Sequence, residues 1–172
     1  PRDSFVASAS GLGYTFPDYL SNSALKTMLE YTKKYLGDLD LNTMILLPEP
    51  TYPDAAVSRR TRSIYAEQLN SCLTGIFEGY RQTKGMQRYV NGLAWLPIEI
   101  PRVWRKETPD QLAKDIINIA ENKKERPLFI PVHVTKGSLD YNDIVELDRI
   151  LKETKPQMFK TVSPEEFAGA FN

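Results

Sequence analysis

The sequence predicts an α/β fold, a mostly parallel sheet flanked by helices. Two apolar runs, "TMILLPE" at 43–49 and "PLFIPVHV" at 127–134, have the character of strands buried on both faces. Amphipathic segments with helical spacing lie between such runs. The order reads β-α-β-α-β-β-α-β-α-β-α, and that alternation implies parallel strands joined by helical crossovers of right-handed winding.

The first predicted strand covers 4–10, in "SFVASAS", and a glycine-aromatic loop, "GLGYTFP", follows it at 11–17. From about Asp18 to Leu36, Leu20, Ala24, Leu25, Met28, Leu29 and Leu36 fall near helical spacing, with Lys26, Glu30, Lys33 and Lys34 between them. Gly37 is the expected stop. After the strand at 43–49 comes a helix in "SRRTRSIYAEQLNSCL", then a strand "TGIFEGY" at 74–80 and another "NGLAWLPIEI" at 91–100, ended by Pro101. Thr108-Pro109-Asp110-Gln111 opens a helix to about Lys124: Thr108 caps, Pro109 suits the first helical position and Gln111 completes a capping box. The strand at 127–134 leads to a helix from Asp140 to about Thr154 and a last short strand "MFKTV" at 158–162. Ser163-Pro164-Glu165-Glu166 repeats the capping-box pattern before a final short helix.

At 172 residues the chain suffices for one α/β domain with a substantial core, 1–172. Apolar residues make up 41% and charged residues 26%, the balance of a globular protein. A formal net charge of zero supplies no attraction for nucleic acid, and no apolar run approaches the ~18 residues of a membrane span. A single cysteine, Cys72, excludes an internal disulfide framework, and a single histidine, His133, excludes a multi-histidine metal site; no metal or cofactor is expected. The opening "PRDSFVASAS", with no initiator Met and a strand almost at once, reads as an excerpt of a longer polypeptide, so an upstream remainder is expected.

"GLGYTFP" lacks the third small residue of a dinucleotide fingerprint, since Phe16 stands there, and the Lys-Ser/Thr ending of a phosphate loop. A strand-to-helix turn accounts for Gly11, Gly13 and Pro17. It does not require Tyr14 and Phe16, which could also form a stacking wall for sugar rings or other flat, partly apolar ligands. Four strands finish near an ionisable residue: Glu49 in "LLPEP", Glu78 in "IFEGY", Glu99 in "LPIEIP" and His133 in "IPVHV". Parallel sheets bind ligands beyond the carboxyl ends of their strands, so these groups could converge on one cleft. Paired carboxylates there suit glycoside hydrolysis, one protonating the leaving oxygen and one attacking or activating water. The structural alternative pairs each acid with Arg81, Arg102 or Arg105, or uses it to cap a loop. A lone strand histidine is also commonly a core or supporting group. Cys72 reads as a buried helix cysteine and Trp95 as core. Trp104, in the polar loop "IPRVWRKETPD", suits sugar stacking, and "RRTR" at 59–62 reads as a solvated helix face.

With Gly11, Gly13, Tyr14 and Pro17 in place, the heptad resembles the signature of the GxGYxYP putative glycoside hydrolase family. Phe16 replaces the second tyrosine, keeping the ring and losing a hydroxyl. "RPLFIPVHV", "DYNDIVELDRIL" and "FKTVSPEEFAGAF" resemble the end of that family's C-terminal domain. The resemblance implies the C-terminal part of a distorted, (β/α) barrel-like carbohydrate-active domain, in a secreted, periplasmic or extracellular protein. It implies an oligosaccharide or polysaccharide ligand. Joined to the residues read above, it gives a leading reading in which Tyr14, Phe16 and Trp104 stack on sugar, Glu49 and Glu78 are acid and nucleophile or base in open order, and His133 orients a carboxylate or a hydroxyl. Gly11, Gly13, Pro17 and Glu99 complete the expected substrate side. Tyr14, Phe16, Glu49, Glu78 and His133 are expected to line one cleft. Two alternatives stay open: a non-catalytic glycan-binding or extracellular structural domain, and a polysaccharide deacetylase-like hydrolase whose metal ligands would come from elsewhere in the polypeptide.

Overall fold

A computed structural model describes residues 5–7, 9–48, 56–79, 88–102, 107–124, 128–134 and 137–170. The chain forms two compact units, one from Pro1–Glu99 with Ser163–Asn172, the other from Ile100–Val162.

The first unit holds a four-stranded sheet of β1 (Thr43–Leu46), β2 (Gly75–Glu78), β4 (Leu93–Pro97) and β3 (Arg88–Val90), in that spatial order. β1, β2 and β4 run parallel, with Met44 opposite Ile76 and Ile76 opposite Trp95, while β3 pairs antiparallel on the β4 edge. The expected α/β class and largely parallel sheet are thus present. The apolar runs are strands because every β2 and β4 residue is buried and leaves no polar face to solvate. Helix α1 (Asn22–Asp38) and helix α2 (Arg59–Leu69) cover one face of the sheet. Leu25, Leu29 and Leu36 of α1 and Ile64, Tyr65 and Leu69 of α2 pack there with Met44, Ile76 and Trp95. Side chains alternate along a strand, so Gly75 and Phe77 meet the opposite face. There Phe77 packs on Phe167 of helix α5 (Pro164–Gly169), ring centroids 5.8 Å apart. Gly75 is what lets α5 approach: a Cβ on it would stand 2.7 Å from the Ala168 Cβ.

The second unit pairs β5 (Ile100–Arg102) in parallel with β6 (Val132–Val134). Helices α3 (Pro109–Asn122) and α4 (Tyr141–Thr154) bury Leu112, Ile116, Leu147 and Leu151 with Ile100 and Leu139. The capping boxes expected at Thr108–Gln111 and Ser163–Glu166 are both formed, and a third joins Asp140 to Asp143.

Several expected boundaries are corrected. Among the described residues the first strand shows one parallel bridge, Ala7 to Met44, and the chain turns at Ser10, whose φ is 64°. α1 begins after the Ser21 cap, with a separate one-turn 3-10 helix at Pro17–Tyr19. Gly37 lies inside α1; the left-handed residue that ends the helix is Asp40, and the Leu41 amide closes it by bonding the Leu36 carbonyl at 2.9 Å. The predicted strand at 91–100 conceals a hairpin, since Asn91 and Gly92, with φ 48° and 81°, form the two-residue turn between β3 and β4. "MFKTV" is no strand: Thr161 is exposed and its hydroxyl donates to Asp148 of α4 at 2.7 Å. Among the described residues the strand expected at 127–134 is assigned only over β6, after Pro131, which has no N–H to offer a ladder.

Candidate functional site

The glycine-aromatic loop leaves the sheet at Ser10. The Ser10 amide donates to the Ile45 carbonyl at 2.8 Å, and its hydroxyl accepts from the Leu47 amide at 3.1 Å while donating to the Thr15 carbonyl at 2.7 Å. Tyr65 of α2 donates its hydroxyl to the Ser10 carbonyl at 3.0 Å. Burial first, and then the Asp18 charge, push that phenol above its ordinary range, which keeps it a donor. Ser10 is fully buried and its groups are engaged, so it anchors the loop beside the end of β1.

Gly11 follows at φ 97°, and a Cβ there would stand 2.6 Å from both Cγ2 and Oγ1 of Thr32 in α1. The same Oγ1 accepts from the Leu12 amide at 2.9 Å and donates to the Met28 carbonyl at 2.9 Å. Gly11 therefore answers two demands at once, a left-handed backbone and close approach to a helix. Gly13, at φ 106° with open space around it, answers only the first. Pro17 is buried and begins the 3-10 turn.

The far end of the loop is held by the start of α2. Asp18 accepts from the Ser58 amide at 2.8 Å, the Ser58 hydroxyl at 2.6 Å and the Thr61 hydroxyl at 2.5 Å. Arg60 donates to the Pro17 and Leu20 carbonyls at 3.3 and 2.9 Å. A carboxylate at a helix N-terminus is favoured by the unsatisfied amides and the helix dipole. Between these anchors Tyr14 is 69% exposed and stands edge-on to half-exposed Phe16, centroids 6.0 Å apart; Phe16 stands edge-on to Tyr19 at 6.5 Å.

Glu78 closes β2 beside the end of β1, with Leu46 its opposite in register. It is 2% exposed, and its Oε1 accepts from the Val57 amide at 2.5 Å and lies 3.6 Å from an Arg62 guanidinium nitrogen. A buried carboxylate needs such compensation. Arg62 is one partner of this acid, while the side chains of Arg81, Arg102 and Arg105, which the sequence suggested, lie outside the described residues, and "RRTR" is only in part a solvated face. Arg59 and Arg60 are exposed, while the Arg62 side chain is 13% exposed. Glu78 and Asp18 thus claim consecutive amides, Val57 and Ser58, which links the strand-end acid to the aromatic loop through one short stretch of chain.

The other expected site residues fall differently. Glu49 and Trp104 lie outside the described residues. Glu99 is half-buried just beyond β4, and the Ile98 amide before it bonds the Glu78 carbonyl at 3.0 Å. His133 sits on β6 in the second unit, half-buried, with its imidazole pushed below the usual range by burial. Trp95 is core, edge-on to Tyr65 at 6.3 Å. Cys72 is half-buried in the turn after α2, its thiol donating to the Leu69 carbonyl, and burial raises it above its usual range. Among the described residues no three His, Cys, Asp or Glu side chains converge as a metal site, and no helix is long and apolar enough to cross a membrane. Sequence reasoning missed Asp18, Tyr19, Arg60 and Arg62. The only signals for them were the acid and ring directly after Pro17 and the basic run that follows Ser58.

No curated protein and no solved structure matches the chain. The family model described as the GxGYxYP putative glycoside hydrolase C-terminal domain matches residues 1–172. A clamped loop carrying the Gly-x-Gly-Tyr-x-x-Pro pattern, at the carboxyl edge of a parallel sheet, and a match over the whole length lead to one conclusion: the chain belongs to the GxGYxYP putative glycoside hydrolase family, as its C-terminal domain.

Proposed function

We propose that this domain binds and processes carbohydrate, with the 11–19 loop as its sugar-stacking wall. The observation that carries the reading is the exposure of Tyr14 and Phe16 on a loop tied at both ends, beside the carboxyl ends of parallel strands. Pyranose rings present apolar C–H faces that pack on aromatic rings, and sheets of this kind take ligands at that edge. In the catalytic form of the reading Glu78 is the anionic partner, because Arg62 compensates its negative charge, and Glu49 is the proton donor. Glu99, in the same unit, adds a contact to substrate.

A second form has its own observation. Glu78 is buried and committed to Val57 and Arg62, as a purely structural acid would be. In that form the domain holds glycan without cleaving it. In either form the family's description as a C-terminal domain supports a longer polypeptide whose remainder is the partner; a barrel-like closure completed by that remainder and a secreted, periplasmic or extracellular location belong to the same proposal. The test measures hydrolysis and binding of oligosaccharides side by side. Loss of turnover with retained binding in Glu49→Gln and Glu78→Gln supports the catalytic form; unchanged binding with no turnover in any variant supports the second; binding unaffected by Tyr14→Ala refutes the stacking wall.

A further inference from the structure

We propose that Tyr19, outside the signature heptad, is a third ring of this platform, and that the loop takes an oligosaccharide chain, not a single sugar. The inference rests on the carbohydrate reading above. Tyr14 and Tyr19 are 69% and 67% exposed and flank half-exposed Phe16, with successive rings edge-on at interplanar angles of 82° and 85°. Single exposed aromatics on a protein surface need no explanation; three in contact within six residues form a patch that does.

The patch is also rigidly presented. The Tyr19 amide donates to the Phe16 carbonyl at 3.1 Å and the Leu20 amide to the Pro17 carbonyl at 3.1 Å, closing a turn around the ring. Asp18, the residue before it, is fixed to Ser58 and Thr61, and Arg60 grips the carbonyls of Pro17 and Leu20 on either side. Turn rigidity of this kind lowers the ordering cost of binding, which is its use at a recognition site. Tyrosine suits the occupant: its face is apolar, and a phenol hydroxyl is matched in chemistry to the hydroxyls of a glycan. One pyranose covers one ring face. Two well-exposed rings separated by Phe16 therefore provide two stacking positions, which a chain of sugars fills and a monosaccharide cannot.

The test is calorimetric titration of the domain with gluco-, xylo-, manno- and chito-oligosaccharides of one to six units, using Tyr14→Ala, Tyr19→Ala and Tyr19→Phe variants. Affinity should rise with length. Tyr19→Ala should weaken the longest ligands about two- to tenfold, the range of one aromatic contact, and leave the shortest that binds unchanged. Tyr19→Phe, which keeps the ring, should bind like the parent. Tyr14→Ala weakening binding while Tyr19→Ala weakens none would overturn the Tyr19 assignment and leave the carbohydrate reading intact. Equal losses in Tyr19→Phe and Tyr19→Ala would refute stacking by that ring. Failure of the parent to bind any of the panel overturns both readings.

Discussion

Replacing Gly11 by alanine should be among the costliest single-methyl additions in the first unit. Three effects add. The left-handed φ of 97° costs a side-chain-bearing residue about 1–2 kcal/mol. The new Cβ, 2.6 Å from Thr32 Cγ2 and Oγ1, forces a shift of α1 or of the loop, an overpacking of about 1–3 kcal/mol. That shift also strains the Leu12 amide bond to Thr32 Oγ1, worth about 1 kcal/mol. The expected destabilisation is about 3–6 kcal/mol, against about 1–2 kcal/mol for Gly13→Ala, where only the backbone effect operates because nothing stands within 4 Å. Urea unfolding followed by circular dichroism measures both. Thr32→Ala removes the two atoms that clash and leaves Cβ at 3.2 Å, so in that background Gly11→Ala should cost about 1–2 kcal/mol less. Equal losses for the two glycines, or full additivity with Thr32→Ala, would refute the close-approach argument and leave only backbone strain.

Four further outcomes are expected. Arg62→Met, which takes the Arg62 guanidinium from the buried Glu78 carboxylate, should cost about 3 kcal/mol in chemical denaturation, and Arg62→Met with Glu78→Gln should cost less than the sum of the single changes. Gly75→Val should push α5 off β2 and release the C-terminal residues to protease, whereas Gly75→Ala combined with Ala168→Gly, which removes the Cβ 2.7 Å away, should resist cleavage better than Gly75→Ala alone. Because burial lowers the folded His133 pKa, the unfolded chain binds the proton more readily; this contribution to stability is complete above the unfolded value of about 6.5 and is lost as pH falls below it toward the lowered folded value. Denaturation midpoints between pH 8 and 5 should therefore slope less in His133→Gln than in the parent. Asp18→Ala, which frees the start of α2, should cost about 1–2 kcal/mol by thermal denaturation and weaken oligosaccharide binding without touching a ring; unchanged affinity at lowered stability would separate the clamp from recognition.

Local chemistry was readable wherever a few neighbouring residues decide the outcome. The Thr108–Gln111 and Ser163–Glu166 boxes form because a cap needs only a hydroxyl and a side chain three residues on. The buried strands formed because runs such as "TMILL" have no polar face to solvate. Misreadings occurred where two local signals competed. Asn91-Gly92 looked like the start of an apolar run and is a hairpin turn, and "MFKTV" has strand propensity with no ladder partner among the described residues.

By itself the sequence determined the fold class, the caps, the core tryptophan at position 95 and the backbone demand for glycine and proline in "GLGYTFP", because propensity, burial pattern and turn chemistry are properties of short stretches. Only the tertiary structure decided why Gly11 and Gly13 differ, that Glu78 is matched by Arg62, that Asp18 and Arg60 clamp the aromatic turn, and that Tyr19 joins Tyr14 and Phe16. Those facts depend on Thr32, Ser58 and Arg62, residues 16 to 40 positions away along the chain, brought alongside by the packing of α1 and α2 on the sheet. A carboxylate in sequence is the same symbol whether it faces a guanidinium or water; only the fold supplies the neighbour that sets its role.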